Sequence, residues 1–117
     1  ITLSRMVYVC LEAADMLAKE GVSAEVVDLR ALNPLDMTTV LESVRRTHRA
    51  VTVEESWLTG GWGGEVAAQI MEQAFDSLDG PVLRVGGADV PMPYARKLEQ
   101  AAIPNASTVV ARVKELL

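Results

Sequence analysis

A chain of 117 residues, half of them hydrophobic, is long enough to bury one core and too short for two. Its formal charge of −5 sets aside nucleic acid as a partner and leaves a basic protein in play. The single cysteine excludes an internal disulfide and a cysteine metal cluster, and no apolar run reaches the roughly 18 residues of a membrane-spanning helix.

The chain opens on Ile1-Thr2-Leu3 rather than on Met, and these residues read as the tail of a strand, so a piece of a longer protein is expected. From Ser4 onward Val7, Cys10, Leu11, Ala14, Leu17 and Ala18 recur at helical spacing and Gly21 supplies a stop, which predicts a helix over 5–20. Cys10 lies on that stripe and is read as a small core hydrophobe rather than a nucleophile. The run AEVVDLR at 24–30, closed by Asn33-Pro34, predicts a strand.

Asp36 is placed to cap a helix over 37–47, in which Met37, Val40, Leu41 and Val44 share one face. Arg45 and Arg46 fall in its last turns, where cations suit the helix dipole. His48, the only histidine, follows directly. No nucleophile has a visible reason to lie near it, so it is read as a structural end of the helix rather than a general base.

AVTVE at 50–54 predicts the next strand, and after a glycine-rich loop Val66, Ala67, Ile70, Met71 and Ala74 mark a third helix ending near Leu78. Gly80-Pro81 separates it from a last strand over 82–85. A short helix near 94–102 follows, then a final helix capped by Asn105 or Ser107 with Val109, Val110, Val113, Leu116 and Leu117 facing inward. Strands separated by single helices cannot pair as hairpins. The expected architecture is therefore one α/β domain over 1–117, a three-layer αβα sandwich on a mostly parallel sheet.

In such a sheet ligands gather at the carboxyl ends of strands, which makes Glu54, Glu55, the glycine loop, Asp89 and Tyr94 the positions to weigh. Gly61-Trp62-Gly63-Gly64 before a helix partly echoes a phosphate cradle, but a Walker lysine is missing and Glu65 would repel an anion; a tight loop-to-helix turn is the favoured reading. Glu54 and Glu55 are strand neighbours that point to opposite faces and do not act as an acid/base pair. No catalytic, cofactor-binding or metal-ligating residue is assigned.

Two surfaces remain. Trp57, Trp62, Met92, Pro93 and Tyr94 lie in loops at the same end of neighbouring strands, and form either a subunit interface, the favoured reading, or a self-covered mini-core. Glu72, Asp76 and Asp79 gather at the negative end of the third helix, either as a solvated face or as acceptors for Lys or Arg of a partner.

Four segments, EVVDLRALNPLD at 25–36, THRAVTVEE at 47–55, GWGGEVAAQIME at 61–72 and GADVPMPYARKLE at 87–99, carry a resemblance over the whole chain. The chain resembles the C-terminal domain of the β subunit of the E1 component of 2-oxo acid dehydrogenase complexes, with VPMPYA pointing to the pyruvate branch. Branched-chain 2-oxo acid and acetoin dehydrogenases are the alternatives within the family, and a free-standing small-ligand or nucleotide-binding α/β domain is the alternative outside it. The resemblance implies a transketolase C-terminal-like fold and membership of an α2β2 heterotetramer, in the bacterial cytoplasm or the mitochondrial matrix. It further implies thiamine diphosphate and Mg²⁺ held outside this domain, which alone is expected to be inactive. The implied partners are the E1 α subunit, a second β subunit and the subunit-binding domain of E2. By the same resemblance the docking groups for E2 are Asp79 and the terminal carboxylate of Leu117, with Asp76 and Glu72 as neighbours.

Overall fold

Extended apolar runs flanked by helices on both sides bury both of their faces, and this sets the layering. The computed structural model describes residues 1–117. Its elements in chain order are α1 (Met6–Lys19), α2 (Met37–Thr47), β1 (Val51–Trp57), α3 (Trp62–Ala74) with a trailing 3₁₀ turn (Phe75–Ser77), β2 (Leu83–Gly87), α4 (Arg96–Ala102) and α5 (Ala106–Lys114).

The strands β1 and β2 pair in parallel, with Val51 opposite Leu83 and Val53 opposite Val85. Thr2 extends the sheet as a single parallel rung, flanked by Asp28 on one side and Val53 on the other. Its N–H donates to Val27 O and its carbonyl accepts from Leu29 N–H, both at 2.9 Å. The order across the sheet is thus residues 27–29, residues 1–3, β1, β2. The expected strand over 24–30 contributes only this rung, because the segment beside it, Ile1 to Leu3, offers a single residue with partners on both sides. A cavity of about 200 Å³ lies beside Ile1, lined mainly by apolar side chains such as Val22, Val26, Val51 and Val113.

Two cores sandwich the sheet. On one face Met37, Val40, Leu41 and Val44 of α2 meet Val66, Ile70 and Ala74 of α3, together with Val27, Leu29 and Ala50. On the other, Met6, Cys10, Ala13 and Leu17 of α1 meet Val109 and Val110 of α5 over Val53 and Val85. This is the three-layer α/β arrangement read from the sequence. The helix ends also follow local chemistry: Asp36 accepts from Thr39 N–H at 3.2 Å and Asn105 from Thr108 N–H at 3.0 Å, each satisfying an otherwise orphaned donor.

Three expectations about facing need correction. In α1 the buried stripe is Met6, Cys10, Ala13 and Leu17, while Leu11 is 48% exposed and Ala18 is exposed. Two stripes of helical period coexist in this sequence, and the one that starts at Met6 has the larger side chains to bury. In α3, Met71 lies outward although its neighbours Ile70 and Ala74 are buried. Leu117 lies outside the end of α5 and is exposed rather than inward.

The segment around Glu25 is held to α2 by polar contacts. Glu25 accepts from Arg46 Nη2 at 2.6 Å and from Ser43 Oγ at 3.0 Å. The Arg46 hydrogen bond, with help from Ser43, holds the Glu25 carboxyl below the usual glutamate range. A depressed folded-state value means that this contribution is present above the ordinary glutamate pKa and is lost as pH falls through the lowered one. In Arg46→Gln, carboxylate titration followed by NMR is expected to return Glu25 toward its ordinary value, and the acid side of the stability profile is expected to flatten slightly. Packing carries more weight: Ile70 is fully buried, and Ile70→Ala is expected to lower the unfolding free energy in a urea titration by about 3 kcal/mol.

Candidate functional site

A carboxylate with almost no exposure organises the carboxyl end of the sheet. Glu54 lies on β1 and is 1% exposed, while Glu55 points to the opposite face and is exposed, as strand alternation requires. The Oε1 atom of Glu54 accepts from Gly63 N–H and from Arg84 Nη2, each at 3.2 Å, and Oε2 accepts from Ser56 Oγ at 2.6 Å. The same Arg84 nitrogen also donates to Leu58 O at 2.7 Å. A side-chain carbon at Gly63 would stand 2.6 Å from Thr52 Oγ1 and 2.7 Å from Glu54 Oε1, so only glycine permits this approach.

This arrangement decides the meaning of the glycine loop. The N-terminus of α3, the place where a phosphate would bind, already faces an internal carboxylate, and Glu65 adds a second negative group in the first turn. A diphosphate would have to displace Glu54 from Arg84 and Gly63. Nor do three His, Cys, Asp or Glu side chains converge here as metal ligands would. The start of α3 therefore does not fit the diphosphate of thiamine diphosphate, and no chemistry through that group is assigned to it. Arg84 and Ser56 are members of this cluster that sequence reasoning missed; the available signal for Arg84 was a charged residue inside the apolar run PVLRV.

The two loops beyond β1 and β2 are tied to each other. Trp57 Nε1 donates to Val90 O at 3.0 Å, and Thr59 Oγ1 to Asp89 Oδ2 at 2.8 Å. Trp57, Trp62 and Met92 line one open concavity. Trp57, Leu58, Val90, Met92 and Leu98 are exposed, and Tyr94 is fully exposed. Pro93 is half-buried. Trp62 divides its surface, since it also packs against the α2–α3 core.

The amino end of the sheet is acidic. Glu72, Asp76 and Asp79 are exposed, and the five ion pairs of the fold involve other carboxylates. His48 closes α2 in the left-handed conformation, at φ 61°, and its Nδ1 lies 2.8 Å from Ser77 O, a structural role matching the sequence reading. Its carbonyl accepts from Asp79 N–H at 2.9 Å. Next to it Arg49 Nε donates to Leu116 O at 2.8 Å, and Leu116 Cδ2 lies 3.7 Å from where a side-chain carbon at Gly80 would stand. Asp79 and the end of the chain at Leu117 are thereby gathered at one pole, while the aromatic loops occupy the other. Cys10 is buried in the α1–α5 core, as its position on a helical stripe suggested.

The profile of the family described as transketolase, C-terminal domain, matches residues 1–109. The chain belongs to the transketolase C-terminal domain family. Among proteins it resembles is the mitochondrial pyruvate dehydrogenase E1 component subunit beta of Dictyostelium discoideum, 49% identical over 99% of this chain and 33% of the relative. The corresponding mitochondrial subunit of Caenorhabditis elegans is 52% identical over 100% of the chain and 34% of the relative. The pyruvate dehydrogenase E1 component subunit beta of Rickettsia bellii is 45% identical over 99% and 36%. This transketolase C-terminal domain thus spans about a third of the length of the curated relatives it matches. A solved structure described as a split gene transketolase, an inactive beta4 tetramer, superposes with a TM-score of 0.85 at 38% identity, over 99% of this chain and 37% of that one.

Removing the Glu54 carboxylate leaves the Gly63 N–H without its acceptor and the partly buried Arg84 guanidinium without its counter-charge, with only Leu58 O to donate to. Glu54→Ala is expected to destabilise the domain by about 3 kcal/mol in chemical denaturation, and to shift the tryptophan fluorescence of the folded state as the loop carrying Trp57 and Trp62 relaxes.

Proposed function

We propose that this domain is the assembly and docking domain of the β subunit of a pyruvate dehydrogenase E1 component, the enzyme that oxidatively decarboxylates pyruvate and acetylates the lipoyl group of E2. The observation that carries the proposal is similarity to pyruvate dehydrogenase E1 beta subunits along essentially the whole chain, at 45 to 52% identity. In this reading the decarboxylation chemistry, with thiamine diphosphate and Mg²⁺, belongs to the E1 α subunit and to another domain of the β subunit. The domain alone is inactive, and the complete enzyme resides in the bacterial cytoplasm or the mitochondrial matrix.

The two poles then divide the work. Trp57, Trp62, Met92, Pro93 and Tyr94 supply apolar contact within the heterotetramer, to the α subunit and the second β subunit. Their loops are pre-ordered by the Trp57–Val90 and Thr59–Asp89 hydrogen bonds, so association costs little additional loop entropy. Asp79 and the Leu117 carboxylate, with Asp76 and Glu72 beside them, receive basic groups from the subunit-binding domain of E2. Their lack of internal ion pairs supports this role, because a partner's Lys or Arg has no resident cation to displace from them.

A charge-assisted hydrogen bond to Asp79 is worth about 1.5 to 3 kcal/mol, or about tenfold to a hundredfold in affinity. Calorimetric titration of the assembled α2β2 enzyme with the E2 subunit-binding domain is expected to show a loss of that size in Asp79→Ala. Affinity equal to that of the unaltered enzyme would reject the docking assignment.

A further inference from the structure

Beside the acidic residues lies an apolar feature that charge does not account for. Along α3 the residues Val66, Ile70 and Ala74 form the fully buried row. Met71, one position on from Ile70, is 46% exposed, and Phe75, four residues further at the start of the 3₁₀ turn, is 63% exposed. Glu72 and Asp76 each follow one of these apolar residues directly, and Asp79 lies three beyond Asp76. The outer surface of this helix end therefore alternates large apolar and acidic groups within two turns. Arg45 Nη2 reaches the Gln73 carbonyl at 3.4 Å rather than any of the three carboxylates.

We propose that Met71 and Phe75 form the apolar anchor of the acidic pole, seating one aliphatic or aromatic side chain of a basic protein partner while Glu72, Asp76 and Asp79 receive the Lys or Arg residues on either side of it. The inference rests on the docking reading above and deepens it. Two considerations select this occupant. An exposed phenylalanine and methionine gain from burial, and a site bordered by three unpaired carboxylates penalises any apolar partner that does not bring positive charge. Exposed ion pairs alone are individually weak, so a docking surface of useful affinity needs a desolvated centre with the charges as its rim. Met71, whose flexible unbranched side chain adapts to irregular shapes, suits the edge of such a centre, and Phe75 suits the middle.

The test uses the assembled α2β2 enzyme and the E2 subunit-binding domain in calorimetric titrations at about 50 and about 200 mM salt. The Met71→Ala/Phe75→Ala double variant is expected to lose at least fivefold in affinity by a similar factor at both salt concentrations, with a less negative heat capacity of binding. Phe75→Leu is expected to restore most of the affinity. In Asp79→Ala the loss is expected to shrink as salt is raised. Both apolar side chains are substantially exposed, so unchanged thermal melting of the double variant accompanies the expected result. A double variant that binds within twofold of the unaltered enzyme, while Asp79→Ala binds weakly, overturns the apolar anchor and leaves the docking reading standing. If neither variant loses affinity, the docking reading falls and the anchor with it. If the double variant instead dissociates the enzyme in sedimentation velocity before any partner is added, the surface belongs to a second copy of the chain and the proposal is overturned.

Discussion

The buried carboxylate of Glu54 is the constraint on which the rest of this domain depends. A charge placed between a sheet and a helix survives only where donors surround it, and here each donor comes from a different element. Gly63 fixes the start of α3, Arg84 fixes β2 beside β1, and Ser56 holds the strand end from which the aromatic loop departs. Arg84 then reaches on to Leu58, so the course of that loop is set by the same ion pair. Buried ion pairs contribute little net stability compared with apolar packing, but they permit few alternative arrangements. We read this one as fixing the orientation of α3 over the sheet rather than as a source of energy.

Because α3 is fixed at its first turn, its far end is positioned as well. The helix leaves the carboxyl end of the sheet at Trp62 and delivers Glu72, Asp76 and Asp79 to the amino end, where His48, Arg49 and Leu116 converge. The acidic pole is thus held by the Asp79–His48 backbone hydrogen bond, by His48 Nδ1 against Ser77 O, and by Arg45 and Arg49 on the carbonyls of Gln73 and Leu116. Its side chains remain in water while their Cα positions are set.

Much of this was legible in the sequence because the signals were local. Asp36 and Asn105 announce their helices by capping chemistry, the β1 and β2 runs are apolar where both faces are covered, and alternation alone separates Glu54 from Glu55. What was hidden depended on distant partners. The 24–30 run has strand composition, yet a strand exists only as far as its neighbour extends, and Thr2 is the one residue that pairs on both sides. The facing of α1 was ambiguous because two helical stripes compete and only α5 and the sheet select between them. Of the candidate surface residues, Trp57, Trp62 and Met92 are drawn together, while the divided role of Trp62 and the partnership of Arg84 with Glu54 required the fold.

The separation of the two poles has an energetic corollary. The 13 residues of α3 span roughly 20 Å, more than two screening lengths at physiological ionic strength, which are about 8 Å each. Occupation of the apolar pole leaves the potential around Asp79 nearly unchanged, and a cationic ligand at the acidic pole barely perturbs the tryptophan loops. In the docking role proposed above, the two ends would therefore be read additively, and any cooperativity between ligands at opposite ends would have to come from the larger assembly.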